Sequence, residues 1–162
     1  MALSPRAAVS ALFFVNGLLV GSWAPKIPAL MARHGFSEGT AGVMVLLLGL
    51  GSLCVMPLFG AMVARAGSAR AVRLAAWLLA PGLVWITLAP ELVSLGIAVA
   101  IFGGLVGGMD VAMNANAVAV ERALGRAIMS SCHGFWSLGA FAGAGAGGMA
   151  IQAFGETAHA LA

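Results

Sequence analysis

The sequence predicts an all-α, polytopic transmembrane helix bundle with five complete helices and the start of a sixth. Three observations predict it. The 162 residues are 62% hydrophobic and 8% charged, with a mean hydropathy of +1.05, outside the range of water-soluble domains. The apolar residues run in stretches long enough, at about 1.5 Å per residue, to cross a hydrocarbon layer of roughly 30 Å. The basic residues gather on alternate turns between those stretches, as in polytopic membrane proteins.

The first helix is expected over about 7–31, after Arg6 and before the polar connection Arg33, His34 and Glu38, with Pro25 and Pro28 near its end. A secretory signal is excluded, because its apolar region would be shorter and the Trp23-Ala24-Pro25-Lys26 stretch is a poor cleavage site. The second helix, 39–63, carries no charge and follows Ser37 or Glu38 as a cap. Arg65, Gly67, Arg70 and Arg73 form a basic turn in which Ser68 is placed to cap the third helix, 71–88, where Pro81 predicts a kink and Trp85 an interfacial end. Ala89-Pro90-Glu91 is too short to separate the third helix from the fourth, 92–120, so the two are antiparallel neighbours. The fifth runs over 127–155 and is glycine-rich in its second half, and 156–162 begins a truncated sixth. A cytoplasmic N-terminus places Arg6, Arg65, Arg70, Arg73, Arg122 and Arg126 inside and leaves Lys26, read as an interfacial anchor, and Arg33 outside. The expected location is the cell's inner membrane, crossed several times.

The fourth helix carries the chemistry. At 3.6 residues per turn Gly103, Gly107, Asp110, Asn114, Ala117 and Glu121 share one stripe, small at its start and polar at its end. A carboxylate facing lipid costs several kcal/mol, so Asp110 is expected to face protein or a wet cavity. A group that alternates between charged and neutral near the midplane can couple proton movement to a conformational change, which makes Asp110 the candidate proton-coupling residue. Its alternative is a structural acid that joins helices. Asn114, one turn on, can donate to the ionised carboxylate or to a solute hydroxyl. His133, read as lying about two turns into the fifth helix, is a second proton group, a substrate ligand or a helix-to-helix hydrogen bond. Trp136 can stack on a solute or pack, and Asn16 and Trp23 share a face of the first helix; these are the remaining substrate-binding candidates.

Other features have simpler readings. Gly103 with Gly107, Gly104 with Gly108, Gly139 with Gly143 and Gly143 with Gly147 are small-xxx-small pairs that let helices approach closely. Gly17-Leu18-Leu19-Val20-Gly21 is similar to Gly103-Gly104-Leu105-Val106-Gly107, which suggests an inverted three-plus-three repeat. Cys54 and Cys132 are packing residues, and Cys132-His133 lacks the further ligands a metal site needs. Phosphate loops, nucleophile motifs and paired His and carboxylate ligands are absent, so no enzymatic chemistry and no cofactor are expected. The net charge of +3 is scattered, which excludes a nucleic-acid surface.

Gly60-Ala61-Met62-Val63-Ala64-Arg65-Ala66-Gly67-Ser68-Ala69-Arg70 resembles the loop between helices 2 and 3 that marks the major facilitator superfamily. Gly60, Arg65, Gly67 and Arg70 stand where that conformational loop has them, with Ala64 in place of the usual aspartate. Gly143-Ala144-Gly145-Ala146-Gly147-Gly148 resembles the family's fifth-helix motif, with Ala144 where a proline is common. Phe13, Phe14, Gly17, Ile27 and Pro28 in the first helix, and Asp110 with Asn114 in the fourth, are similar to the fucose-permease-like branch, in which a second carboxylate stands at the position of Ala24. The resemblance implies the N-terminal half of a twelve-helix secondary transporter, present as a fragment or a separate half, moving a small polar solute in symport with protons. The implied partners are the lipid bilayer, the solute, protons and the missing C-terminal six-helix half. A transporter without proton coupling and a helix-bundle assembly subunit are the alternatives.

Overall fold

The computed structural model describes residues 4–161, which are helical almost throughout and contain no strand among the described residues. Pro5–His34, Glu38–Ala66, Ser68–Leu88 and Leu92–Leu124 are each long and apolar enough to cross a membrane. Together with Met129–Leu161 they make a helical membrane bundle.

Helix α1 (Pro5–Gly21) starts where Ser4 accepts a hydrogen bond from the Ala7 amide at 3.3 Å and Pro5 fills the first turn, where its missing amide is not needed. The single helix expected over 7–31 is interrupted. After Gly21 the chain makes a 3-10 turn over Ala24–Lys26 and restarts as α2 (Ile27–His34), because Pro25 and Pro28 remove donors from the helical ladder. Helix α2 ends on Gly35, whose φ of 65° suits glycine. Ser37 caps α3 (Glu38–Ala66) by accepting from the Thr40 amide at 3.4 Å.

A single residue, Gly67 at φ 82°, separates α3 from α4 (Ser68–Leu79). Ser68 therefore does not cap that helix as expected. It is the first helical residue, and its hydroxyl accepts from Asn116 Nδ2 at 3.2 Å. The third span is broken at Ala80 and Pro81 and finishes as α5 (Gly82–Leu88). Helix α6 (Leu92–Leu124) opens with reciprocal hydrogen bonds between Glu91 and Ser94. Helix α7 (Met129–Leu161) is capped from outside itself, since the amides of Ile128 and Met129 donate to Glu121 Oε2 at 2.7 and 3.0 Å. Gly155, at φ 84°, interrupts α7, and residues 156–161 fold back so that His159 and Pro25 both lie against Gly147. Ala162, the last residue of the expected sixth-helix start, lies outside the described residues.

Two glycine seams organise the packing, α1 on α7 and α3 on α6. A methyl group at Gly17, Gly21, Gly139 or Gly143 would collide with the backbone at Trp136, Ala140, Phe14 or Leu18 respectively. In the other seam Gly103 meets Leu48, Gly107 meets Ser52, Gly51 meets Ala100, and Gly104 meets Val55. The two sets correspond contact by contact. One constant shift carries Phe14, Gly17, Leu18 and Gly21 onto Ala100, Gly103, Gly104 and Gly107; a second carries Leu48, Gly51, Ser52 and Val55 onto Trp136, Gly139, Ala140 and Gly143. The similarity of five residues between the first and fourth helices thus extends to the interfaces those helices make. Close backbone approach supplies dispersion contacts where lipid provides no hydrophobic drive between helices. Helix α4 packs on α6, and large apolar side chains such as Trp77 and Phe141 point outward, as they do where lipid is the solvent.

Candidate functional site

Halfway along α6 the small part of the stripe gives way to the polar part. Gly103 and Gly107 press against α3, Asp110 and Asn114 are half-buried, and Ala117 is buried. Asn114 Nδ2 donates both to the Asp110 carbonyl at 2.8 Å and to its Oδ1 at 3.1 Å. This one-turn bond holds one carboxylate oxygen and leaves the other for a proton or a solute. Among the described residues the one ion pair within 4.0 Å is Arg33 with Glu156, so no basic side chain clamps Asp110. His133 lies within electrostatic reach of it.

The seam between α1 and α7 carries the other candidate groups. The rings of Phe13 and His133 meet edge to face, centroids 5.3 Å apart at 76°. One turn on, Trp136 Nε1 donates to Asn16 Oδ1 at 2.9 Å. Asn16 is 2% exposed, and its Nδ2 is buried without a partner. The imidazole is exposed. Because α7 starts at Met129, His133 sits about one turn into the helix rather than two. Phe13 was legible only as part of a motif; its ring contact with His133 depends on how α1 and α7 come together.

Asp110 and Asn114 are thus joined on α6 with His133 within electrostatic reach of the carboxylate, and Asn16 with Trp136 forms the next rung of the α1–α7 seam after Phe13 and His133. Trp23 stands apart. It is buried at the broken C-terminal end of α1, where its carbonyl accepts from the Lys26 amide at 3.0 Å. Arg65, in the last turn of α3, and Arg70, in the first turn of α4, are exposed; Gly60 has open space beside it, and Gly67 supplies the left-handed turn between the two helices. The bond from Asn116 to Ser68 ties the start of α4 to α6.

Lys26 departs most from its reading as an interfacial anchor. It is fully buried, because the 3-10 turn at Pro25 points it inward, and its Nζ donates to Thr87 Oγ1 at 2.8 Å and to the Glu156 carbonyl at 2.9 Å. Arg33 Nη1 bonds the Thr87 carbonyl at 2.6 Å and Glu156 Oε1 at 3.1 Å. Two clefts, of about 550 and 450 Å³, flank α1; the first is lined by Arg6, Ser10 and Phe135, the second by Ser22, Leu83 and His159, and neither includes Asp110. Among the described residues no three His, Cys, Asp or Glu side chains converge as metal ligands would.

No protein-family profile matches the chain, and no solved structure matches it either. The chain is 41% identical over 145 residues, 90% of its length and 38% of the other's, to an uncharacterized transporter of Sinorhizobium fredii. It is 38% identical over 143 residues to an uncharacterized MFS-type transporter of Yersinia pestis, covering 88% of this chain and 37% of that protein. The membrane protein MosC of Rhizobium meliloti is 36% identical over 136 residues, with 84% of this chain and 33% of that protein covered. The chain spans little more than a third of the length of the curated relatives it matches.

Proposed function

We propose that this chain forms the N-terminal helical half of a secondary transporter of the major facilitator type, moving a small polar solute together with protons. The observation that carries the reading is a carboxylate, Asp110, in the middle of a membrane-spanning helix with one neutral hydrogen-bond partner and no cation against it. An acid held this lightly can gain and lose a proton as the space around it changes, whereas an acid clamped by arginine cannot. Asn114 beside it, His133 within electrostatic reach, and the Asn16–Trp136 pair between α1 and α7 supply donors and aromatic surface suited to hydroxyl-bearing or amide-bearing solutes. The spacing of Asp110 and Asn114 supports placement in the fucose-permease-like branch, without its sugar. The similarity to longer proteins named as transporters supports a second bundle that completes the solute cavity. The arginine distribution supports a cytoplasmic N-terminus in the inner membrane.

The uncoupled alternative draws on the bond between Asn114 and Asp110, which also suits a structural acid. Proteoliposomes of the full-length protein separate the readings, with pyranine trapped inside and a panel of sugars, polyols and organic acids outside. Solute-dependent proton entry that Asp110→Asn abolishes is the expected result. Solute uptake without proton entry would leave an uncoupled transporter, and no flux with any solute would favour an assembly subunit.

A further inference from the structure

The outer end of α1 holds a buried cation that the transport site does not use. Lys26 is 0% exposed, yet its ammonium meets only neutral acceptors, the Thr87 hydroxyl on α5 and the Glu156 carbonyl just beyond Gly155. The carboxylate of Glu156 is turned to Arg33 instead, and its Oε2 is buried without a partner, as is His159 Nδ1 one turn on. An ammonium removed from water that hydrogen-bonds only neutral acceptors, with the Glu156 carboxylate attracting it from a distance while bonded to Arg33, is incompletely compensated, so any opening that readmits water favours it. The three elements it joins end or break there. Helix α1 stops at a 3-10 turn that contains Pro25 and precedes Pro28, α5 is a short helix of Gly82–Leu88, and residues 156–161 hang from a left-handed glycine.

We propose that Lys26 is the latch of an outer gate, closed when its ammonium bonds Thr87 and Glu156 and released when water reaches it. The inference rests on reading the chain as a transporter, but it concerns a different part of the molecule from Asp110. A latch of this kind behaves differently from static glue. Taking away an acceptor leaves the charge buried and worse paired, which drives the gate open. Taking away the charge leaves an apolar side chain that prefers the closed, dry state. Glue would loosen in both cases.

Ser22, buried beside the break, provides the probe site. In the full-length protein with Cys54→Ser and Cys132→Ser, a Ser22→Cys probe is treated from outside with a membrane-impermeant thiol reagent. Thr87→Val, close to isosteric, is expected to raise the labelling rate about tenfold, the scale of one lost hydrogen bond to a charged group. Lys26→Met is expected to lower it below the parent. A rate in Thr87→Val within about twofold of the parent, too small for a lost charged hydrogen bond, or a rise in Lys26→Met, overturns the latch. Labelling does not depend on solute flux: the opposed shifts without transport of any solute would keep the latch and remove the transporter reading, and transport without the shifts would remove the latch alone.

Discussion

The bundle buries two charges in opposite ways. Where α1 breaks, Lys26 is enclosed by three elements and bonded to two of them, with Arg33 and Glu156 forming an ion pair beside it. In the middle of α6 Asp110 is half-buried and bonded by one amide from its own helix. The first arrangement fixes the relative positions of distant segments, because its bonds cross 61 and 130 residues of sequence. The second fixes nothing beyond one helical turn. A charge that crosses elements reports on how they are assembled, and a charge held within its own turn is free to answer to whatever enters the space around it.

The largest expected effect separates these roles. Asp110→Asn should abolish solute-driven proton entry while changing the stability of the folded protein by less than about 1 kcal/mol, since an amide can keep the Asn114 bond. Flux assays and thermal melting in detergent, run on the same preparation, check both halves; a large loss of stability would make Asp110 a structural acid like those it is contrasted with. Thr87→Val should show the reverse pattern around Lys26, with a melting loss of about 1 to 3 kcal/mol from an under-bonded buried ammonium. Asn114→Ala should reduce flux without abolishing it and cost about 1 kcal/mol of stability, the usual net worth of one hydrogen bond. The smallest effect is expected from Arg33→Gln. Arg33 and Glu156 are 34% and 17% exposed, so their ion pair should contribute less than about 1 kcal/mol, decreasing with added salt, while the glutamine amide can still donate to the Thr87 carbonyl. A loss of several kcal/mol there would mean that Arg33, rather than Lys26, holds these segments together.

Much of the helical architecture was legible because membrane helices are written in local sequence. Long apolar runs, Ser37 before α3 and Pro81 at the break of the third span act within a turn or two of themselves, whereas the break of the first helix at Pro25 and the Glu91–Ser94 bonds were not read from the sequence. The stripe on α6 was legible for the same reason, as a matter of helical period. Lys26 was misread because a lysine near the end of an apolar helix ordinarily reaches the interface, and nothing local says that a 3-10 turn will direct it toward Thr87. Ser68 was misread because α4 follows α3 across Gly67 alone, leaving no residue of ordinary backbone to serve as a cap. Phe13 against His133 and Trp136 against Asn16 arise where α1 and α7 lie side by side, about 120 residues apart in sequence.

The sequence by itself determined a helical membrane bundle, the placement of its turns, and an acid with an amide one turn away in the middle of α6. Those follow from hydropathy and a 3.6-residue period, which are properties of neighbouring residues. Only the tertiary structure decided which helices share a seam, that the contacts of α1 with α7 repeat those of α6 with α3, and that a lysine expected at the surface is sealed inside. Glycines permit close approach without naming a partner, and a buried ammonium finds its acceptors wherever packing brings them, so both had to wait for the chain to fold.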